Sequence, residues 1–377
     1  MIRVALFGLG KMGLSHLAMI NAHPDAKLIA VCDSSDYLLG VLSKHTLVKT
    51  YTDYKQLLKT EKLDAVFVAT PSRSHTEIVG RALDGGLHVF CEKPLCLNPT
   101  EGLQLAKLAE KKKLVNQVGY HYRFLGSYSE MKRILSSNVL GTLSHVRAEA
   151  YGPVVLRPKG STWRTDKAEG GGCLYDYASH AIDMVNYLVG QPDAVGGTIM
   201  RKIYSSDVED EVYTNIYYSN GMTGHIAANW SDESYRKMST TVTVWGTNGK
   251  IIADRQELRV YFREDRGLPD GFNKGWNVRH TTDLTEPVWF YLRGEEYSAQ
   301  VDHFFQAIKA GHIETRSTFR TATDTDLVVS AMLRDAERQN TAVSHETVSV
   351  RKPPASSWWD VIRRQKKPNT PILADRN

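Results

Sequence analysis

The stretch GGGCLYDYASHAID, residues 170–183, places Asp176, His180 and Asp183 behind three consecutive glycines. Asp176 stands four residues before His180, and Asp183 stands three after it, so on a helix the three side chains share one face. An imidazole near a carboxylate is suited to general acid/base work, because the imidazole exchanges protons near neutral pH and the carboxylate can orient it. A buried structural histidine and a metal ligand are the competing readings. No third imidazole or thiol stands at plausible ligand spacing, so no metal is expected. The glycines let the loop ahead of the helix pass close to a bound ligand.

A second group of residues lies near the N-terminus. FGLGKMG carries Gly8, Gly10 and Gly13 in G-x-G-x-x-G spacing between a strand and a helix. Such a turn bends tightly at Gly8, lets the backbone approach a pyrophosphate at Gly10, packs the helix closely at Gly13, and turns helix N-terminal amides on the phosphates. Lys11 and Met12 sit inside this turn and are assigned to the cofactor with it. Asp33, twenty residues past Gly13, stands in LIAVCDSS at the end of the second strand. Its carboxylate can accept from adenosine ribose hydroxyls and repels a 2′-phosphate, while Ser34 and Ser35 bring no compensating charge. NAD is therefore expected over NADP.

Strands must deliver these residues to one edge. Apolar runs at Arg3–Phe7, Leu28–Cys32, Asp64–Ala69, His88–Cys91 and Leu114–Gly119 alternate with helical patterns such as Thr76–Leu83 and Thr100–Lys112. This predicts a doubly wound parallel sheet, which binds ligands at the carboxyl ends of its strands. ATPSRSH and CEKPLCLNP both fall at that edge. Lys93 then ends a strand with its exit path limited by Pro94, within reach of a nicotinamide ribose and of a substrate oxygen whose developing charge it would stabilise.

From about residue 140, alternating runs such as EVYTNIYYSN, MTGHIAANW and TTVTVWGTNGKIIAD, joined by Asn-Gly and other glycine turns, predict a largely antiparallel open sheet with one face covered. Helical patterns follow near Tyr297–Ala310 and Thr321–Gln339. The fold class is thus α/β, a Rossmann sheet followed by an α+β domain. The expected domains are residues 1–122 for nucleotide binding, 123–345 for substrate binding and oligomerisation, and 346–377 as an arm or tail. In that tail, Trp358 and Trp359 are expected to pack against a neighbour.

A chain of 377 residues exceeds what one core usually supports, in keeping with this division. Its 47 basic and 42 acidic side chains leave a net charge of only +5, with no basic run interleaved with aromatics, so no nucleic-acid partner is expected. No apolar stretch approaches the roughly 20 residues that cross a bilayer. The first residues run straight into a strand without a signal-peptide pattern, and Cys32, Cys91, Cys96 and Cys173 lack disulfide or zinc spacing. A cytoplasmic, membrane-free protein is expected.

The glycine motif, ATPSRSH, Glu92-Lys93-Pro94, and Asp176 followed four residues later by His180 make residues 1 to about 340 resemble the Gfo/Idh/MocA family of NAD(P)-dependent sugar and polyol dehydrogenases. The resemblance implies that Lys93 is catalytic, that His180 is the general acid/base, and that Asp176 orients it or binds substrate. Asp183 is then a supporting group. Thr70, Pro71, His75 and Glu92 would line the cofactor pocket. Tyr120, His121 and Arg123 of GYHYRF, together with Trp163 and Arg164, would reach substrate, and Arg157, Lys159 and Arg164 could hold an anionic substituent. The implied reaction is hydride exchange with a sugar, inositol or nucleotide-linked sugar in a homodimer or homotetramer. Two rivals remain: a redox-neutral glycosidase on the same fold that keeps NAD bound, and a noncatalytic nucleotide sensor, for which Lys93 or His180 should be missing.

Overall fold

Runs such as AVFV at 65–68 hold no polar residue and are buried along their whole length, which suits a strand covered on both faces. The computed structural model describes residues 1–154 and 163–342. Strands β1 (Ile2–Phe7), β2 (Ala26–Cys32), β3 (Lys49–Tyr51), β4 (Ala65–Val68), β5 (His88–Cys91) and β6 (Asn116–Val118) form a parallel sheet in the order β3-β2-β1-β4-β5-β6. Helices α1 (Lys11–Ala22), α2 (Asp36–His45), α3 (Tyr54–Thr60), α4 (His75–Asp84) and α5 (Pro99–Lys112) make the crossovers. The strand order reverses between β1 and β4, so their carboxyl ends open a crevice there. The three-residue β3 is the strand that the apolar pattern does not announce.

After α6 (Gly126–Ser136) come β7 (Leu143–Tyr151), α7 (Ser179–Val189), β8 (Ala194–Arg201), β9 (Glu211–Tyr217), β10 (Thr223–Asn229), β11 (Ser239–Gly246), β12 (Gly249–Ala253), β13 (Glu257–Phe262) and β14 (Gly275–His280). These eight strands form an open sheet in the order β14-β13-β12-β11-β7-β10-β9-β8, antiparallel except where β7 runs parallel to β10. Period-two alternation buries Val146, Ala148 and Ala150 of β7 and Val242 and Val244 of β11 in one core with Met131 and Ile134 of α6 and Ile182 and Val185 of α7. α6 and α7 therefore cover one face, and α7 carries His180 above the crevice.

A one-turn helix α8 (Thr281–Leu284) precedes α9 (Glu295–Ala310) and α10 (Phe319–Ala342). Phe304 and Phe305 of α9 enter the core under the first sheet, where Phe304 meets Phe67 edge-on and Phe67 stacks on Phe90. Phe319 and Ala322 of α10 join Ile78, Val79 and Leu105 on its other side. The chain thus returns to the nucleotide-binding sheet and brings the start of α9 to the crevice. The tail beyond residue 342, with Trp358 and Trp359, lies outside the described residues, as do Arg157 and Lys159.

Candidate active site

The turn after β1 has the shape its spacing requires. Gly8 takes φ of +91°, and a Cβ there would stand 2.5 Å from the Ala69 carbonyl oxygen. A Cβ on Gly13 would strike the Gly8 carbonyl, so α1 can lie this close to β1 only with glycine there. Gly10 is open, with no protein atom within 4 Å of where its Cβ would be. Exposed Lys11 and half-buried Met12 form the first turn of α1 beside it, with helix N-terminal amides turned outward. Asp33 accepts from the Leu9 amide at 2.5 Å and the Ser35 amide at 2.8 Å. That uses two of about four acceptor positions on a carboxylate, leaving the others for hydroxyls. An open glycine beside helix amides, with an acidic group at the end of β2, fits a dinucleotide.

The opposite wall comes from the ends of β4 and β5. Thr70 is half-buried and Pro71 exposed, both next to the glycine turn. His75 is fully buried, with ring nitrogens 2.9 Å from the Pro94 and Thr70 carbonyls. It ties the two loops together and offers nothing to a ligand, which corrects its expected place in the cofactor pocket. Glu92 also turns inward: its Oε1 lies 2.7 Å from Nε2 of buried His16 on α1. The helix facing the phosphates is thereby joined to the strand that ends in Lys93. The Lys93–Pro94 peptide bond is cis.

Lys93 crosses the crevice to the turn before α7. Its Nζ donates to the Asp176 carbonyl and to Oδ1, both at 3.0 Å, while Arg164 Nε donates to Oδ2 at 2.8 Å. Among the described residues the third ammonium proton of Lys93 has no acceptor, and it is the one left for a ligand oxygen. Burial raises the Asp176 carboxyl pKa, but Lys93 and Arg164 outweigh it and hold the group below its ordinary value. Leu174–Ala178 winds as a wider π turn that runs directly into α7, so Asp176 and His180 sit on consecutive but unlike turns. Leu174 N donates to Glu209 at 2.8 Å, which anchors the start of that turn, and Gly172 takes φ of +108° against the Glu209 carboxylate.

His180 is 4% exposed, and among the described residues its Nδ1 is buried without a partner. Burial, then the positive charge of Lys93, then His121 push its pKa well below 6.5. The ring is therefore neutral at physiological pH and able to take a proton. Among the described residues no hydrogen bond joins Asp176 to His180: the carboxylate bonds Lys93 and Arg164, and His180 Nδ1 has no partner, so Asp176 does not orient the ring here.

Two further assignments change. Tyr120 is wholly buried and meets the His180 ring edge-on at 6.0 Å, so it backs the imidazole instead of touching substrate. Arg123 is spent in the interior: Nε and Nη2 bond Asp183 at 3.0 and 2.6 Å, and Nη1 bonds the Arg316 carbonyl. This pair locks the loop after β6 to α7, which is the supporting role expected of Asp183. The Trp163 ring lies 4.8 Å from the Arg164 guanidinium. His121, Arg255, Arg293 and Tyr297 also converge there. Tyr297 and the two arginines carried no local signal, since their spacing in RQELRV and RGEEYSAQ matches no motif.

The sequence model of an oxidoreductase family with an NAD-binding Rossmann fold matches residues 2–120, and that of the GFO/IDH/MocA C-terminal domain matches residues 128–252. Levoglucosan dehydrogenase from Pseudarthrobacter phenanthrenivorans is 27% identical over 309 residues, covering 72% of this chain and 79% of that enzyme. Myo-inositol 2-dehydrogenase from Thermotoga maritima is 26% identical over 276 residues, covering 71% of this chain and 79% of its own length. Among solved structures, levoglucosan dehydrogenase in complex with NADH and levoglucosan aligns with a TM-score of 0.78 at 25% identity, covering 90% of this chain and 98% of that one.

Proposed function

Since the chain belongs to the Gfo/Idh/MocA oxidoreductase family, we propose that Lys93 and His180 carry hydride-transfer chemistry on a secondary alcohol, with Asp176 in support. The enzyme is NAD-dependent and acts on CH–OH groups of sugars or polyols, the class that the names of its relatives specify. NAD supplies the acceptor for a hydride leaving the hydroxyl-bearing carbon or, when reduced, the donor of one.

The protein's own contribution divides between two groups. Neutral His180 accepts the hydroxyl proton as the C=O bond forms, and returns it when a ketone is reduced. Lys93 points its unspent N–H at the same oxygen and stabilises the negative charge that develops there. Asp176 and Arg164 hold that ammonium in place, so its position does not have to be found anew in each turnover. Gly8, Gly10, Lys11, Met12, Gly13, Asp33, Thr70 and Pro71 are the cofactor-binding residues of this proposal. Trp163 stands beside the substrate, and His121 is added to the residues around it. We place the enzyme in the cytoplasm as a homodimer or homotetramer.

The observation that carries the reading is the Lys93 ammonium fixed by Asp176 at 3.0 Å in the same crevice as the buried, neutral His180. The test is NADH formation from NAD⁺ across aldoses, polyols, sugar acids and nucleotide sugars, with the ketone product identified by mass spectrometry. One NADH per ketone is expected. Cleavage of a glycoside with no net NADH would replace this reading with the redox-neutral one, and NADH binding without conversion of any substrate would leave only a nucleotide sensor.

A further inference from the structure

A buried imidazole other than His180 faces the reaction space. The His121 ring lies 5.1 Å from the His180 ring, in T-shaped contact, and stacks on Tyr297 at 4.4 Å with an interplanar angle of 17°. Tyr297 belongs to the first turn of α9, and the Arg293 guanidinium lies 5.3 Å from its ring. Two imidazoles this close in a water-poor pocket compete for the one proton the reaction releases, because charging either disfavours charging the other.

Hydrogen bonding distinguishes them. Nε2 of His121 lies 3.4 Å from the Tyr297 hydroxyl, which can donate to it when the ring proton sits on Nδ1. In that tautomer the Nε2 acceptor of His121 is satisfied, whereas among the described residues His180 Nδ1 is buried without a partner. We propose that Tyr297 is a positioning residue for the proton-transfer step: by donating to His121 Nε2 it closes that site to the proton and leaves His180 to receive it. This inference rests on His180 being the base.

The surroundings oppose a proton on either ring. His121 is faced by Lys93 after β5, His180 on α7, Tyr122 in its own loop, Arg255 after β12, and Arg293 and Tyr297 at α9. Glu296 is paired with Arg255, and Glu92 lies beyond Tyr297. Burial, with Arg255, Lys93 and Arg293, pushes the His121 pKa down to about 3. Cations predominate around the ring, and the Tyr297 hydroxyl is the neutral donor among them that reaches Nε2.

The test is Tyr297→Phe, which keeps the stacked ring and removes only the hydroxyl. Titration of the thirteen histidine side chains by NMR in the substrate-free protein, with the His121 signal assigned from His121→Gln, should place the His121 midpoint about half a unit to one unit higher in Tyr297→Phe. The acidic limb of kcat/KM should move up with it, because a proton held on His121 opposes proton uptake by His180. In a His121→Gln background the Tyr297→Phe change should leave the limb where it is. An unmoved His121 midpoint, or a limb that still moves without His121, overturns the proposal. Since the titration needs no turnover, its result stands apart from whether any sugar is oxidised.

Discussion

Lys93 and His180 act on the same oxygen in different ways, so their removal should read differently. Lys93 supplies charge, and Lys93→Met should lower kcat about 10²-fold or more at every pH while NADH binding is kept. His180 supplies proton transfer, typically worth about 10² to 10⁴ in rate, and His180→Ala should lose turnover and flatten the acidic limb of kcat/KM for oxidation. The direction of that limb follows from the site. A base works when deprotonated, and burial with Lys93 and His121 depresses the His180 pKa. The native acidic limb should therefore lie below the ordinary imidazole value of about 6.5. A native limb at or above that value, or a His180→Ala profile identical to the native one, removes His180 as the base and passes the role to His121, the nearest other imidazole.

The glycine turn separates fold from function within one element. Gly10→Ala places its methyl in open space, so melting temperature should be unchanged while NADH affinity falls at least tenfold, because the methyl occupies the path of the pyrophosphate. Gly13→Ala meets the Gly8 carbonyl, so it should lower both. Equal melting losses for the two variants would mean that Gly10 is a packing residue. This turn was legible in the sequence because its glycine spacing lies within six residues, and Asp33 and Lys93-Pro94 were legible because each follows directly on an apolar strand run. Legibility fell off with contact distance. Arg123 is drawn into the interior by Asp183, 60 residues away, and Tyr297 reaches His121 across 176. Neither partner can be chosen from local spacing. The π turn was hidden for another reason: Asp176 and His180 have i, i+4 spacing whichever way the turn winds, and only the bond from Leu174 to Glu209 and the reach of Lys93 distinguish the two windings.

At the scale of the whole molecule, the second sheet has a covered face and an uncovered one. Helices α6 and α7 bury the first. On the other, Trp276 is 57% exposed, with Val278, Ile199 and Tyr217 each near half, and Tyr261 packs on Trp276 at 5.5 Å. Lys250 and Arg147 lie over Trp245 on the same face. Aromatic side chains mixed with long cations are the composition of an association surface. Because alternation places these residues opposite the core, they contribute nothing to α6–α7 packing, and replacing them should leave the protomer intact. Light scattering at micromolar concentration should show an oligomer for the native chain and a monomer for Trp276→Glu combined with Val278→Lys, with NADH binding and melting of the isolated protomer retained. If the native chain is itself monomeric under those conditions, or if the double variant stays assembled, self-association does not run through this face.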